Sequence, residues 1–135
     1  MPQQMPTKAE RYRKLVEARK KCQACSPGLR NPAEEGLSEF DSPDHIGPWT
    51  RLDSDLDAGL MVVGQDWADV GYYTRHRGLD KDNDPANNAT NRNLEKLLKV
   101  ADADTFAAPL IFDAKPRGLF LTNAVLCLIE SRIIQ

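Results

Sequence analysis

The sequence is most informative first in what it lacks. No apolar run approaches the roughly 20 residues that a membrane-spanning helix requires, so no helical membrane anchor is expected. The start, MPQQMPTKAERYRKLVEARKK, has no apolar core followed by small residues and does not read as a secretory signal. Cysteine is scarce and odd in number, with three spread residues, which excludes a disulfide framework. Histidine is limited to His45 and His76, both in polar stretches and both expected to be exposed loop residues. There is no internal repeat and no low-complexity tract. These absences leave a cytoplasmic protein of one domain, residues 1–135, with enough chain to bury a core.

What is present is ordinary in bulk, with 41% hydrophobic and 28% charged residues, but uneven along the chain. Residues 1–30 carry eight Lys/Arg against two Glu, whereas the remaining 105 carry ten against eighteen acids. A nucleic-acid partner is therefore allowed at the N-terminal end without being demanded by the overall charge of −2.

Three segments follow from the patterning. Residues 1–25 read as a basic helix opened by a capping box, Thr7-Lys8-Ala9-Glu10, with Tyr12, Leu15 and Val16 on one stripe. It is expected to end near Cys22–Cys25, since Ser26-Pro27-Gly28 cannot continue it. Residues 26–57, with four prolines, read as irregular, with a short strand around Ile46–Leu52. Residues 58–135 read as a βαβ core. Gly59–Gly64 is a buried parallel strand, Asn88 or Thr90 caps a helix with Leu94, Leu97, Leu98 and Ala101 on one face, and Leu119–Leu126 is a second strand. Leu110–Phe112 is a weaker strand candidate. The class is α/β, an open, mostly parallel sheet flanked by helices.

Ligands of such sheets gather at the carboxyl ends of the strands. The loops leaving those ends begin Gly64-Gln65-Asp66-Trp67 and follow Asn123. If the strands are neighbours, Asp66 and Asn123 share a pocket with Trp67, Tyr72 and Tyr73 nearby. A carboxylate, an amide and aromatic rings suit a nucleobase. The amide matches a Watson–Crick edge, a ring supports the base face, and the carboxylate positions water beside the sugar. Plainer roles stand beside these: Asp66 as a turn cap, and the tyrosines as packing. Asn123 inside an apolar strand is harder to explain that way, because a buried amide must find partners.

Here a resemblance enters. Gly64-Gln65-Asp66 after an apolar strand is similar to the Gly-Gln-Asp-Pro-Tyr motif of the uracil-DNA glycosylases. Leu121-Thr122-Asn123-Ala124-Val125-Leu126-Cys127 and Cys22-Gln23-Ala24-Cys25 resemble segments of that superfamily's iron–sulfur branch. The resemblance covers roughly residues 8–28, 58–68 and 88–128 and implies a three-layer fold that excises uracil flipped out of DNA. In it Asp66 is the water-positioning carboxylate, and Gly64 and Gln65 contact the base, Gln65 mainly through its backbone. Asn123 reads the uracil edge, and Cys22, Cys25 and Cys127 ligate a 4Fe–4S cluster. The branch's own loop is of Gly-Glu-Ala-Pro-Gly type, and its stacking Phe has no counterpart in Pro85-Ala86-Asn87-Asn88. Tyr73 is assigned to the base, with Tyr72 and Trp67 as alternatives. The family's fourth cysteine and His-Pro-Ser loop do not occur in this chain, which is accordingly expected to be a monomeric, weakly active or inactive fragment. The competing expectation is a non-catalytic metal- and nucleic-acid-binding module, with Cys22 and Cys25 helping to hold zinc. A thioredoxin-like role fits less well, because its Cys-x-x-Cys opens a helix and this one closes one.

Overall fold

The computed structural model describes residues 1–2, 4–24, 28–35, 41–66, 68–76 and 84–129, with backbone alone at Glu35, Tyr73, Thr74 and His76. Cys25, Trp67 and the Tyr73 side chain therefore lie outside the described residues. The chain is mixed α/β, with three helices and two small sheets among the described residues.

Helix α1, Lys8–Lys20, opens on the capping box that its sequence predicts. The Glu10 N–H donates to Thr7 Oγ1 at 3.2 Å, and the Thr7 N–H donates to the Glu10 carboxylate at 2.7 Å. Two donors that the first turn leaves unpaired are thereby satisfied. The helix ends at Lys20, before the cysteines. Asn31 accounts for this stop: its amide nitrogen donates to the carbonyls of Arg19, Lys20 and Cys22 at 2.8–3.1 Å, satisfying groups the helix end would orphan.

Strands β2, Leu60–Asp66, and β3, Leu119–Val125, pair in parallel, and helices α2, Val70–His76, and α3, Ala89–Ala101, lie between them in sequence. Their register puts Leu60 opposite Leu119 and Gly64 opposite Asn123. Side chains alternate across a strand, so β3 presents Leu119 and Leu121 to one face and Phe120 to the other. The first face packs on Leu94 and Leu98 of α3 with Trp49, Leu52, Phe106 and Leu110. The second packs on Tyr12 and Val16 of α1 with Ile46, and the Tyr12 and Phe120 rings meet edge to face at 6.0 Å. A helix thus covers each face of the pair.

The far edge of β3 is not bare. The Leu121 N–H donates to the Asp53 carbonyl and the Asp55 N–H to the Leu119 carbonyl, an antiparallel contact that pairs the edge. Arg117 grips the buried Asp53 carboxylate through Nε and Nη2, the closer approach being 2.7 Å. Burial raises the pKa of that carboxyl, and the guanidinium opposes the rise. A second sheet joins β1, Leu29–Arg30, to β4, Leu128–Ile129, antiparallel.

Several expectations are corrected. Trp49–Arg51 forms a 3₁₀ turn where a strand was expected, because Pro48 takes helical angles and its carbonyl accepts the Arg51 N–H at 3.2 Å. Leu110–Phe112 is not a strand: the Leu110 N–H donates to Glu95 and the chain turns at Asp113, whose φ is +56°. The loop expected to begin at Gly64 is strand through Asp66, and α2 follows it, started by Asp69, whose carboxylate accepts the Tyr72 N–H at 2.7 Å. On the two predicted helix faces Leu94, Leu98 and Val16 are buried, while Leu15, Leu97 and Ala101 are exposed. His45 is half-buried and bonded to Ser42 instead of exposed.

Candidate functional site

A cavity of about 270 Å³ opens at the carboxyl end of the β2–β3 pair. From the strands it is lined by Gly64, Gln65, Asp66 and Asn123, from the 3₁₀ turn by Trp49, and from the start of α3 by Asn88, Thr90 and Asn91. Two segments distant in sequence, the turn after Val63 and the amide at position 123, therefore face one space. The cause is the parallel register, which sets Gly64 directly beside Asn123.

Gly64 is required at this place by its neighbours. A Cβ added there would lie 2.7 Å from Asn123 Nδ2 and 3.0 Å from Trp49 Cζ3, closer than real contacts allow. Asn123 is 7% exposed; its Nδ2 donates to the Asp66 carbonyl at 3.1 Å. Its Oδ1 is buried and has no hydrogen-bond partner among the described residues. A buried acceptor left in this way costs about 1–3 kcal/mol, and a ligand N–H is the natural partner for it. Trp49, 5% exposed, donates its indole N–H to Asn91 Oδ1 at 2.9 Å, and Asn91 Nδ2 donates to the Pro85 carbonyl at 3.1 Å.

Of the residues expected at the site, Gly64, Gln65, Asp66 and Asn123 border the cavity. Tyr72 does not; it packs with Ala68 and Leu128. Trp49, Asn88, Thr90 and Asn91 went unrecognised. Asn88 was already visible as a helix cap, and a helix start beside a strand end is a lining position in this fold class. Trp49 carried no such mark, because its segment follows no strand.

The cysteines form a second locus. Cys22 is exposed and Cys127 half-buried, and both border a small cavity of about 20 Å³ with Leu29, Asn31 and Glu34. The β1–β4 pairing is responsible: it zips the segment after Cys22 to the segment after Cys127. Two thiols bordering one cavity are donors that suit a soft metal group. Among the described residues no three His, Cys, Asp or Glu converge to hold an ion; the thiols are neighbours, not a finished cage. Beneath them lies a buried cluster in which Arg19 donates to Asn31 at 3.0 Å and also to Asp41. Lys20 reaches Asp41 at 2.8 Å, and burial lowers its pKa, with Asp41 opposing.

A larger apolar groove of about 490 Å³ runs between α1 and the second face of the sheet, past Tyr12, Leu15, Leu56, Met61 and Phe120. Phe120 and Thr122 are the β3 residues among its lining, and no expected site residue borders it. Among the described residues no helix is long and apolar enough to cross a membrane. No family model, curated protein or solved structure matches the chain.

Proposed function

We propose that the chain carries the base pocket of a DNA-repair glycosylase that hydrolyses the N-glycosidic bond of uracil flipped out of DNA. The observation that supports this most is that Gly64-Gln65-Asp66 and Asn123 border one cavity, with the buried Asn123 Oδ1 left as an acceptor. An imide such as uracil offers an N–H to that oxygen. Asp66, at the cavity's rim, takes the place of the carboxylate that orients water toward the sugar carbon and stabilises the cation formed there. Gly64 and Gln65 border the same space, and Gln65 contacts the base mainly through its backbone.

The finer architecture belongs to the same reading. With α1 and α3 on opposite faces of the β2–β3 pair, the fold is a three-layer open sheet of the uracil-DNA glycosylase kind. Cys22 and Cys127, with Cys25, hold an iron–sulfur cluster, which when bound ties the end of α1 to the end of β3. A cytoplasmic setting keeps these thiols reduced. The basic α1 contributes attraction to DNA phosphates, so binding weakens with salt. Among the described residues the cavity has no imidazole, and His45 lies against Ser42.

The test is binding of free uracil, followed by ligand-observed NMR on the folded chain. Uracil is expected to bind and Asn123→Ala to weaken it by about tenfold or more, in line with the loss of a site-specific hydrogen bond. A well-folded protein that binds no uracil would end the proposal. Metal analysis of anaerobically prepared protein checks the cysteine assignment independently: iron with sulfide is expected, and zinc instead favours the non-catalytic metal-binding module.

A further inference from the structure

We propose that the apolar groove between α1 and the second face of the sheet binds a medium-chain fatty acid, its tail along Leu15, Met61 and Phe120 and its carboxylate at Arg11. The groove shares no lining residue with the base pocket, so the two assignments stand or fall separately.

The groove exists because α1 covers only half of that face. Met61 stands in register with Phe120, and residues paired across neighbouring strands point to the same side of a sheet. Phe120 on β3 is 8% exposed under the Tyr12 ring, whereas Met61 on β2 is 61% exposed. The helix turns Val16 inward and leaves Leu15 more than half exposed. Leu15, Met61 and Phe120 thus line one cleft of about 490 Å³, with Leu56 and Ala58. That volume, with mostly apolar walls and few polar groups, suits a small ligand. Its polar end decides the charge of the ligand. Lys8, Arg11, Tyr12 and Leu15 recur at helical spacing, so the α1 wall passes from cations to apolar side chains over about 10 Å. Lys8 is paired with Asp57, and the Asp55 carboxylate accepts the N–H groups of Asp57 and Gly118. Among the described residues the Arg11 side chain has no hydrogen bond or ion pair, which leaves a positive charge at one end of an apolar cleft. A guanidinium pairs with a carboxylate through two parallel N–H donors. The complement is an elongated apolar molecule with one carboxylate at its end. Because the surface is concave, it takes the free acid and not a bilayer.

The experiment is ligand-observed NMR with decanoate on the full chain, below micelle formation and at protein concentrations where sedimentation shows a monomer. Decanoate is expected to bind. Hexanoate, with a shorter tail, should bind about tenfold or more weakly, since each fully buried methylene is worth about fourfold in affinity. Decyltrimethylammonium keeps the tail and reverses the head, and should lose about tenfold as attraction becomes repulsion. Arg11→Gln should weaken decanoate about threefold, the scale of an exposed ion pair. Leu15→Glu should abolish binding with little change in the urea midpoint, because the position is exposed. The proposal is overturned by no binding of decanoate, by equal affinity for the carboxylate and the ammonium, or by undiminished binding to Leu15→Glu. Capture of the chain by anionic vesicles without binding of the free acid overturns it as well. If Leu15→Glu does not fold, the comparison of head groups in the wild type decides. Uracil binding in the same samples reports on the base pocket alone, so either assignment can fail without the other.

Discussion

Single residues in this chain act through contacts that their chemistry does not announce. Gly64 is the sharpest example, placed where β2 must let Asn123 and Trp49 close in from the side. Gly64→Ala forces a methyl to within 2.7 Å of the amide, and overpacking of this kind costs about 1–3 kcal/mol. A lower urea midpoint with an unchanged slope is the expected outcome. His45 gives a pH signature. Burial, the largest influence, holds its pKa below the ordinary 6.5, with Asp113 and Asp44 opposing and Arg51 and Lys20 assisting. The unfolded chain therefore takes up this proton before the folded one does. Stability from the site is complete above about pH 6.5 and is lost as pH falls toward the folded value. Urea midpoints at about pH 7.5 and about pH 5.5 should differ less in His45→Gln than in the wild type.

At the scale of elements, the termini of helices set what the loops can do. The end of α1 is fixed by Asn31, whose side chain takes three carbonyls and supports Arg19, and this holds Cys22 near the β1–β4 pair. Asn31→Ala leaves those groups buried without partners and is expected to cost about 3 kcal/mol, read by urea unfolding. The start of α3 has the corresponding role at the cavity. Asn88 caps the helix by accepting the Thr90 and Asn91 N–H groups, and Asn91 then reaches out to fix Trp49. Neither Asn31 nor Asn91 belongs to a recognisable motif, yet each ties a helix end to a site.

For the molecule as a whole, the two faces of the β2–β3 pair are unequal. The face under α3 is closed by Leu94, Leu98, Leu119 and Leu121. The face under α1 leaves Leu15, Met61 and Val63 more than half exposed, with Met61 at 61%. Contiguous apolar surface of this kind favours association. Met61→Lys is expected to reduce concentration-dependent association in sedimentation experiments. As a surface change it should shift stability by no more than about 0.5 kcal/mol.

The sequence by itself determined the local features. It specified the Thr7–Glu10 box, the two parallel strands (though not their burial, since Leu60, Met61 and Val63 of the first are exposed), the capped helix between them with Leu94 and Leu98 inward, and Gly64, Gln65, Asp66 and Asn123 at the strand ends. Each depends on residues within a few positions of one another, where periodicity, capping and turn chemistry act. Tertiary structure decided the remainder. It brought Trp49 of the 3₁₀ turn to the cavity through Asn91. It also set Cys22 beside Cys127 through β1 and β4, and took Leu110–Phe112 out of the sheet. Those outcomes hang on partners 15 to 105 residues away, such as Glu95 for Leu110 and Cys127 for Cys22. A hydrogen bond or contact over that distance leaves no periodic trace in the chain, because nothing in the intervening residues has to alternate for it to form.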